Sequence, residues 1–247
     1  MSGQVLESLH DVVSAEHPTY IGGGTDIMPL LKNEVRDDKD FVFLKKIPEL
    51  HVLEEKDGEL IIGAAMTLTE LAESALLNSR YAAIAQAASL TASPQIRNIA
   101  TVGGNIMQDR RCIYFNQPHL WRSGLACHEH LPILVTRFFV PAAEEGERSG
   151  FYKYAMRTTI DFPIINFALR CGGNRPARLA AGALAPHPVV MAETAAKIDS
   201  DATDDEVIAQ AEDELRKLAM PIKEACMPPT VKRSLYRHVA MLLNLRK

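Results

Sequence analysis

Three consecutive glycines, Gly22 to Gly24, set the narrowest limits on how this chain can fold. Glycine loses more backbone freedom on folding than any other residue, so an ordered Gly-Gly-Gly indicates positive φ angles or a contact closer than a Cβ atom permits. Ile21 precedes the glycines, and Thr25 and Asp26 follow them. Successive backbone N–H groups in such a turn suit phosphate oxygens, and a threonine hydroxyl adds a donor. Two interpretations stay open: a phosphate-binding loop, and a tight turn without a ligand.

A second segment, residues 96–106, again places a hydroxyl group and glycines among apolar residues. Its polar and glycine positions are Arg97, Asn98, Thr101, Gly103, Gly104 and Asn105. Two Gly-rich segments suit a ligand with two phosphates and a long reach, such as a dinucleotide. Neither segment has the G-x-G-x-x-G spacing of the Rossmann fold or the G-x-x-x-x-G-K-[ST] spacing of the phosphate loop. The pattern therefore predicts a different dinucleotide-binding fold.

The composition excludes several classes of protein. The chain has 247 residues, of which 47% are apolar and 23% charged, and its net charge of −4 argues against nucleic acid or an anionic membrane as a partner. We expect no signal peptide and no transmembrane segment, because there is no basic leader and no long apolar run. Four scattered cysteines and the lack of an N-x-[ST] sequon favour a reducing cytoplasm and no disulfides.

The pattern of apolar and turn residues predicts an α+β protein. A strand at Thr19–Ile21 enters the first glycine segment, a helix at Ile27–Lys32 leaves it, and Asp57-Gly58 indicates a hairpin within residues 51–63. The other predicted elements are helices at 5–16, 67–77, 81–91, 203–218 and 230–245, strands at 41–44 and 131–140, and a hairpin of 163–171 with 177–184. Residues 141–150 are predicted to be a linker. The expected domains are therefore 1–140, with both glycine segments, and 148–247.

The motifs IGGGTDIMP and IRNIATVGGNI, in this order, resemble the FAD-binding subunit of the molybdenum hydroxylases, the family of xanthine dehydrogenase and carbon monoxide dehydrogenase. Further similarity lies at 62–68, 152–157, 179–183 and 234–237. The resemblance implies an FAD-binding domain of the molybdopterin-dehydrogenase (PCMH-like) type, followed by a small C-terminal domain of the CO dehydrogenase flavoprotein type. Residues 109–122 are similar in particular to the flavin subunit of 4-hydroxybenzoyl-CoA reductase.

The resemblance also implies a cofactor and the residues that bind it. The FAD pyrophosphate would be held by Ile21, Gly22, Gly23, Gly24, Thr25 and Asp26 on one side and by Arg97, Asn98, Thr101, Gly103, Gly104 and Asn105 on the other. Arg97 and Asn98 have an alternative role, which is to fix the second segment by hydrogen bonds to its backbone. Lys153 matches a lysine beside the flavin, and its alternative role is a solvated charge on a surface strand.

The implied function is an electron relay. In the resembled enzymes the flavin links [2Fe–2S] clusters on a small subunit to a soluble electron carrier, either NAD or a ferredoxin-like protein, while a large subunit holds the molybdenum cofactor and the substrate. No Ser/His/Asp group or carboxylate pair predicts a catalytic residue in this chain. Two other functions stay open: a scaffold subunit that has lost FAD, and a free-standing flavoprotein oxidase.

Two departures from the family pattern affect these expectations. The middle of the chain and its N-terminal part are shorter than usual, which predicts weaker FAD binding. The reductase type carries four cysteines for a [4Fe–4S] cluster, of which only Cys112 and Cys127 are matched here, with His128 or His130 as further ligand candidates. Because such a cluster normally needs four thiolates, the sequence favours its loss, and an iron–sulfur site at these two cysteines is the alternative. Cys171 and Cys226 are expected to be buried structural thiols.

Overall fold

The computed structural model describes residues 2–13, 18–108, 133–157, 160–185, 187–219 and 234–246. The chain divides into two compact units: Met1–Glu70 with Pro94–Ala142, and Leu71–Ser93 with Ala143–Lys247. Both units combine helices with sheets, so the predicted α+β class is confirmed. The domain division predicted from the sequence stays a prediction, and the compact units differ from it by assigning Leu71–Ser93 to the second unit.

A parallel sheet in the first unit positions the glycine triplet. Its strands, in the order β1-β3-β2, are β1 (Ser2–Val5), β3 (Asp40–Phe43) and β2 (Thr19–Ile21), and the helices beside them are α1 (Leu9–Val13) and α2 (Ile27–Lys32). The predicted strand at Thr19–Ile21 and the predicted helix at Ile27–Lys32 are confirmed. The helix predicted over 5–16 is wrong at its start, because Ser2–Val5 pairs with β3. Residues 14–17 of that prediction lie outside the described residues.

A second sheet in the first unit is antiparallel, with the strand order β4-β5-β6. Its strands are β4 (Leu53–Lys56), β5 (Glu59–Gly63) and β6 (Arg137–Pro141). The predicted hairpin is confirmed, and its turn has φ angles of 51° at Asp57 and 81° at Gly58, as a two-residue turn of this kind requires. The strand predicted over 131–140 is shorter in the structure: residues 133–136 form no regular element, and 131–132 are not described.

Short helices follow the antiparallel hairpin. They are α3 (Leu68–Glu73), α4 (Ala75–Arg80), α5 (Ala82–Ser89), α6 (Pro94–Arg97) and α7 (Val102–Ile106), and a 3-10 helix, Pro48–Leu50, precedes them. The predicted cap of α3 is confirmed: the Thr67 N–H donates to the Glu70 carboxylate, and the Glu70 N–H donates to Thr67 Oγ1. The helix predicted to continue to Leu77 instead stops at Glu73, because Ser74 accepts a bond from the Leu77 N–H and starts α4.

The second unit is built on a four-stranded antiparallel sheet in the order β10-β9-β8-β7. Its elements are β7 (Arg148–Tyr154), β8 (Ile165–Cys171), β9 (Arg178–Gly182), β10 (Val189–Val190), α8 (Ala192–Ile198), α9 (Asp204–Leu218) and the 3-10 helix Ser234–Arg246. The predicted β8–β9 hairpin and the Thr203–Glu206 capping box are confirmed. The linker predicted over 141–150 is wrong at both ends, because Pro141 pairs with β5 and Arg148 to Gly150 pair with β8.

A core of apolar side chains fills the second unit, with Phe167, Leu179 and Val207 fully buried. The predicted last helix is of the 3-10 type where it is described, and its Val239 belongs to this core. Among the helices in the described parts of the chain, none is long and apolar enough to cross a membrane.

Candidate functional site

A cleft of about 110 Å³ lies where β2 ends, within the first unit. We call it the glycine cleft; both glycine segments line it, through Ile21, Gly22, Gly23, Gly24, Thr25 and Asp26 on one side and Thr101, Gly104 and Asn105 on the other. Sites that enclose a whole drug-sized ligand are larger, at about 300–1,000 Å³. The glycine cleft is therefore the size of part of a dinucleotide, such as its diphosphate.

Gly22 and Gly23 cannot be replaced by larger residues without a clash, because the second glycine segment occupies the space that a Cβ atom would need. A Cβ on Gly22 would lie 2.2 Å from Thr101 Oγ1, and a Cβ on Gly23 would lie 2.1 Å from the carbonyl oxygen of Ile99. Both distances are far below van der Waals contact, so any side chain at these positions would push the two segments apart. The glycines thus allow the two walls of the cleft to touch.

Gly24 is constrained differently, since its φ of +70° lies in the left-handed region. Within the described part of the chain, the backbone N–H groups of Gly22, Gly23, Gly24 and Thr25 donate no hydrogen bond to another residue. These amides border the cleft and retain their donors. A turn with such donors fits the oxygens of a diphosphate, so the residues present suit the phosphate part of FAD.

The second glycine segment forms the start of α7 rather than an open loop. Thr101 Oγ1 caps the helix by accepting a bond from the Gly104 N–H at 3.2 Å. The N–H groups of Gly103 and Asn105 donate to Ala64 and Thr101 carbonyls. Gly103 lies outside the cleft, packed so closely on Ala64 that a Cβ would lie 2.8 Å from the alanine Cβ. This segment therefore shapes the cleft wall, and the backbone donors of Gly103, Gly104 and Asn105 are already used.

Arg97 and Asn98 are not among the residues that line the cleft. Arg97 is half-buried at the end of α6. Asn98 is exposed, and its Oδ1 accepts a bond from Thr69 Oγ1 at 2.7 Å. The side-chain bond of Asn98 thus joins the segment to α3 and does not reach the segment's own backbone.

Lys153 lies on β7 in the second unit. Its Nζ donates to the carbonyl oxygen of Leu90 at 2.8 Å, at the residue that follows α5. A lysine near the last carbonyls of a helix offsets the negative end of the helix dipole. The side chain is half-buried and bonded, so it is not simply a solvated surface charge.

A charged group on the wall of the glycine cleft was not predicted from the sequence. Arg36 lines the cleft and forms two bonds to the Asp38 carboxylate, from Nε at 2.6 Å and from Nη2 at 2.5 Å. Thr19, also in the cleft wall, donates its hydroxyl to Asp38 at 2.6 Å. We call these three residues the arginine clamp. No sequence motif predicts the arginine clamp. Its Thr19–Asp38 bond joins residues that only the pairing of β2 with β3 brings together.

The arginine clamp controls the ionisation of Asp38. Burial acts to raise the pKa of this carboxyl, but the hydrogen bonds from Arg36 and Thr19 and the positive charge of Arg36 outweigh it. The pKa of Asp38 is therefore below its ordinary value. The carboxylate stays charged at neutral pH, and the pair with Arg36 persists.

The predicted cluster cysteines, Cys112 and Cys127, lie outside the described residues, as do His128, His130 and Cys226. Among the residues that are described, no group of three or more His, Cys, Asp or Glu side chains could hold a metal ion. Cys171 is a buried free thiol, as predicted, and burial raises its pKa.

Comparison with known proteins agrees with the geometry of the cleft. Residues 3–203 match the family model described as "FAD binding domain in molybdopterin dehydrogenase". The chain is 32% identical over 197 residues to the xanthine dehydrogenase FAD-binding subunit of Escherichia coli O157:H7, which covers 68% of each chain. Over 86 residues it is 33% identical to the carbon monoxide dehydrogenase medium chain of Hydrogenophaga pseudoflava, covering 35% of this chain and 30% of the relative.

Solved structures have the same fold. The carbon monoxide dehydrogenase of Hydrogenophaga pseudoflava that lacks the Mo-pyranopterin moiety of its molybdenum cofactor contains a chain with a TM-score of 0.82 at 20% identity, covering 99% of this chain and 96% of that one. Quinoline 2-oxidoreductase from Pseudomonas putida 86 contains a chain with a TM-score of 0.79 at 19% identity, covering 99% and 95%. At such low identity these likenesses concern the fold alone.

Proposed function

Because this chain belongs to the family of FAD-binding domains in molybdopterin dehydrogenases, we propose that it passes electrons between [2Fe–2S] clusters of a small partner subunit and a soluble carrier, NAD or a ferredoxin-like protein. A large partner subunit would hold the molybdenum cofactor and the organic substrate. Relatives described as a "FAD-binding subunit" and a "medium chain" support a heteromeric assembly.

The observation that carries the proposal is the row of unbonded amides at the glycine cleft. Gly22, Gly23, Gly24 and Thr25 present these donors where β2 ends, and Thr101 fixes the opposite wall. A backbone turn of this kind binds phosphate oxygens without a side chain of its own. We therefore assign the FAD diphosphate to this cleft, with Gly104 and Asn105 completing its wall. Direct contacts from Arg97, Asn98, Gly103 and Lys153 stay predictions.

The chain's own residues bind and orient the cofactor rather than react. No His, Cys or Lys is among the described residues that line the cleft, so the wall offers no side chain that exchanges protons readily near pH 7. A bound flavin supplies the ability to exchange electrons singly or in pairs. The protein contributes the position of the phosphates and a rigid wall, since the close contact of Gly22 with Thr101 leaves the two segments no room to slide.

Narrower assignments remain proposals. The similarity to the 4-hydroxybenzoyl-CoA reductase type rests on residues 109–122, which are not described. Relatives named for xanthine, carbon monoxide and quinoline share this fold, so the chain itself does not identify the substrate. Loss of the iron–sulfur cluster at Cys112 and Cys127 and a cytoplasmic location also stay predictions.

Stopped-flow mixing of the native complex with its carrier tests the relay. We expect NADH or a reduced ferredoxin to bleach the flavin band and the [2Fe–2S] bands in succession, and the partner subunits without this chain to react at least tenfold more slowly. Equal rates with and without the chain would contradict the relay and favour a scaffold. A chain that holds FAD but purifies without a molybdenum or [2Fe–2S] partner would favour a free-standing oxidase.

A further inference from the structure

Among the described residues that line the glycine cleft there is one side-chain charge of each sign. Arg36 is the only Lys, Arg or His among the described residues that line the cleft, and Asp26 is the only carboxylate. A diphosphate linkage brings two negative charges into this space. Amide dipoles stabilise such charge, yet charge-assisted hydrogen bonds are about twice as strong as neutral ones. Arg36 is thus the cation among these residues that can compensate the charge of a diphosphate.

The arginine clamp holds this cation in one orientation. The Arg36 side chain is 12% exposed and that of Asp38 is 16% exposed, so both charges are largely removed from water. Burying a guanidinium is costly unless it is paired in good geometry, and the two bonds to Asp38 provide that geometry. Thr19 fixes the carboxylate in turn. The plane of the guanidinium is therefore set before any ligand arrives.

A purely structural role would also explain part of the clamp. The Thr19–Asp38 bond ties the connection between α2 and β3 to strand β2, and this stabilises the first unit. That bond needs only the Thr19 hydroxyl and the Asp38 carboxylate. It does not account for the placement of Arg36 in the wall beside the glycine triplet.

We infer that Arg36 binds the FAD diphosphate directly and that Asp38 and Thr19 act as its positioning residues. The inference rests on the function proposed above and adds a specific ion contact to it. Bound diphosphate would gain one charge-assisted hydrogen bond or two from a group that needs no reorganisation.

The test is a titration of the flavin-free full-length chain with FAD, followed by flavin fluorescence, at several salt concentrations. Arg36→Gln removes the charge and keeps most of the length. The matched control is Arg170→Gln, which removes a half-buried arginine paired with Glu147 in the second unit. We expect Arg36→Gln to raise the Kd for FAD by about 10- to 100-fold and to weaken its salt dependence. The control should leave both within about twofold.

Asp38→Asn separates positioning from simple charge. It makes the cleft more positive, so a charge effect alone would tighten FAD binding, whereas loss of the two-bond geometry predicts a Kd about three- to tenfold higher. Tighter binding would overturn the positioning role of Asp38. If Arg36→Gln fails to fold, Arg36→Lys takes its place, because lysine keeps the charge without the paired geometry, and a Kd at least about threefold higher is expected.

The outcomes distinguish this inference from the proposed function. If the wild-type chain binds FAD and the Arg36 variant binds it equally well with the same salt dependence, the arginine contact is wrong and the FAD site stands. If the wild-type chain does not bind FAD, with or without its partner subunits, the proposed function itself fails.

Discussion

Different glycines in this chain are required for different physical reasons. Gly22 and Gly23 allow the two glycine segments to touch, whereas Gly24 and Gly58 adopt positive φ angles. The sequence predicted that the triplet needs a close approach or an unusual backbone. The sequence does not indicate which glycine needs a close contact and which needs a positive φ angle. The residues that make the close contacts, Ile99 and Thr101, lie more than seventy positions further along the chain.

Gly23→Ala should be markedly destabilising. The new Cβ would meet the carbonyl oxygen of Ile99 at 2.1 Å, and a backbone atom cannot move aside as a flexible side chain can. We expect a loss of about 3 kcal/mol in the free energy of unfolding, the upper end of the usual range for overpacking. Gly58→Ala is the control, with φ +81° and no neighbour within 4 Å, and should cost about 1–2 kcal/mol. Urea unfolding measures both, and equal losses would contradict the packing argument.

Asp38 should make stability depend on pH at the acidic end. Its pKa is lower in the folded chain than the ordinary value of 3.8, so its contribution is fully present above that value and is lost as pH falls through the folded pKa. The free energy of unfolding of wild type should exceed that of Asp38→Asn at neutral pH, and the difference should shrink below about pH 4. Urea unfolding across pH measures it. A difference that stays constant into acid would show that the carboxylate charge contributes nothing.

Elements with local signals were predictable, and elements that depend on distant partners were not. The Asp57-Gly58 turn and the Thr203–Glu206 capping box each depend on residues close together in the sequence, and both predictions are confirmed. Strand β1 escaped prediction because its pairing with β3 joins residues near 2 and 40. Helix α8 escaped as well, since its cap comes from Glu214, a residue on α9.

Glu214 should be the most costly carboxylate to remove from the second unit. It is 4% exposed and accepts bonds from the N–H groups of Glu193 and Thr194 and from the Thr194 hydroxyl, at the start of α8. Glu214→Ala leaves these donors without an acceptor, those of Thr194 being buried, and should cost about 3 kcal/mol. Glu206→Ala removes an exposed cap and should cost about 1 kcal/mol. Urea unfolding compares the two variants, and similar losses would contradict the importance of burial.

At the scale of the whole molecule, the class and the cofactor motif could be read from the sequence, but the grouping of segments could not. Helices α4 and α5 belong to the second unit, where the Tyr81 hydroxyl accepts a bond from the Ala143 N–H and Gln86 Oε1 accepts one from the Phe151 N–H. The charge and apolar pattern of residues 71–93 carries no sign of this. The assignment of α4 and α5 to the second unit depends on contacts between residues more than sixty positions apart in the sequence. The separation of 62 between Tyr81 and Ala143 is an example.

A fragment of residues 148–247 should therefore not fold cooperatively by itself. It lacks helix α5, whose Gln86 accepts the bond from the Phe151 N–H on β7, and so leaves that donor without its acceptor. We expect no sharp urea transition in the fragment and a clear one in the full chain, followed by circular dichroism. Cooperative unfolding of the fragment would instead support the division at residues 140–148.

We conclude that this chain is an FAD-binding subunit of a molybdenum-hydroxylase-type enzyme. The most direct test is to purify it anaerobically with its native partners, isolate the subunit, release any flavin with acid, and identify and quantify it by chromatography and absorbance. We expect FAD, close to one per chain. A colourless subunit that releases no flavin, from a complex otherwise intact, would contradict it.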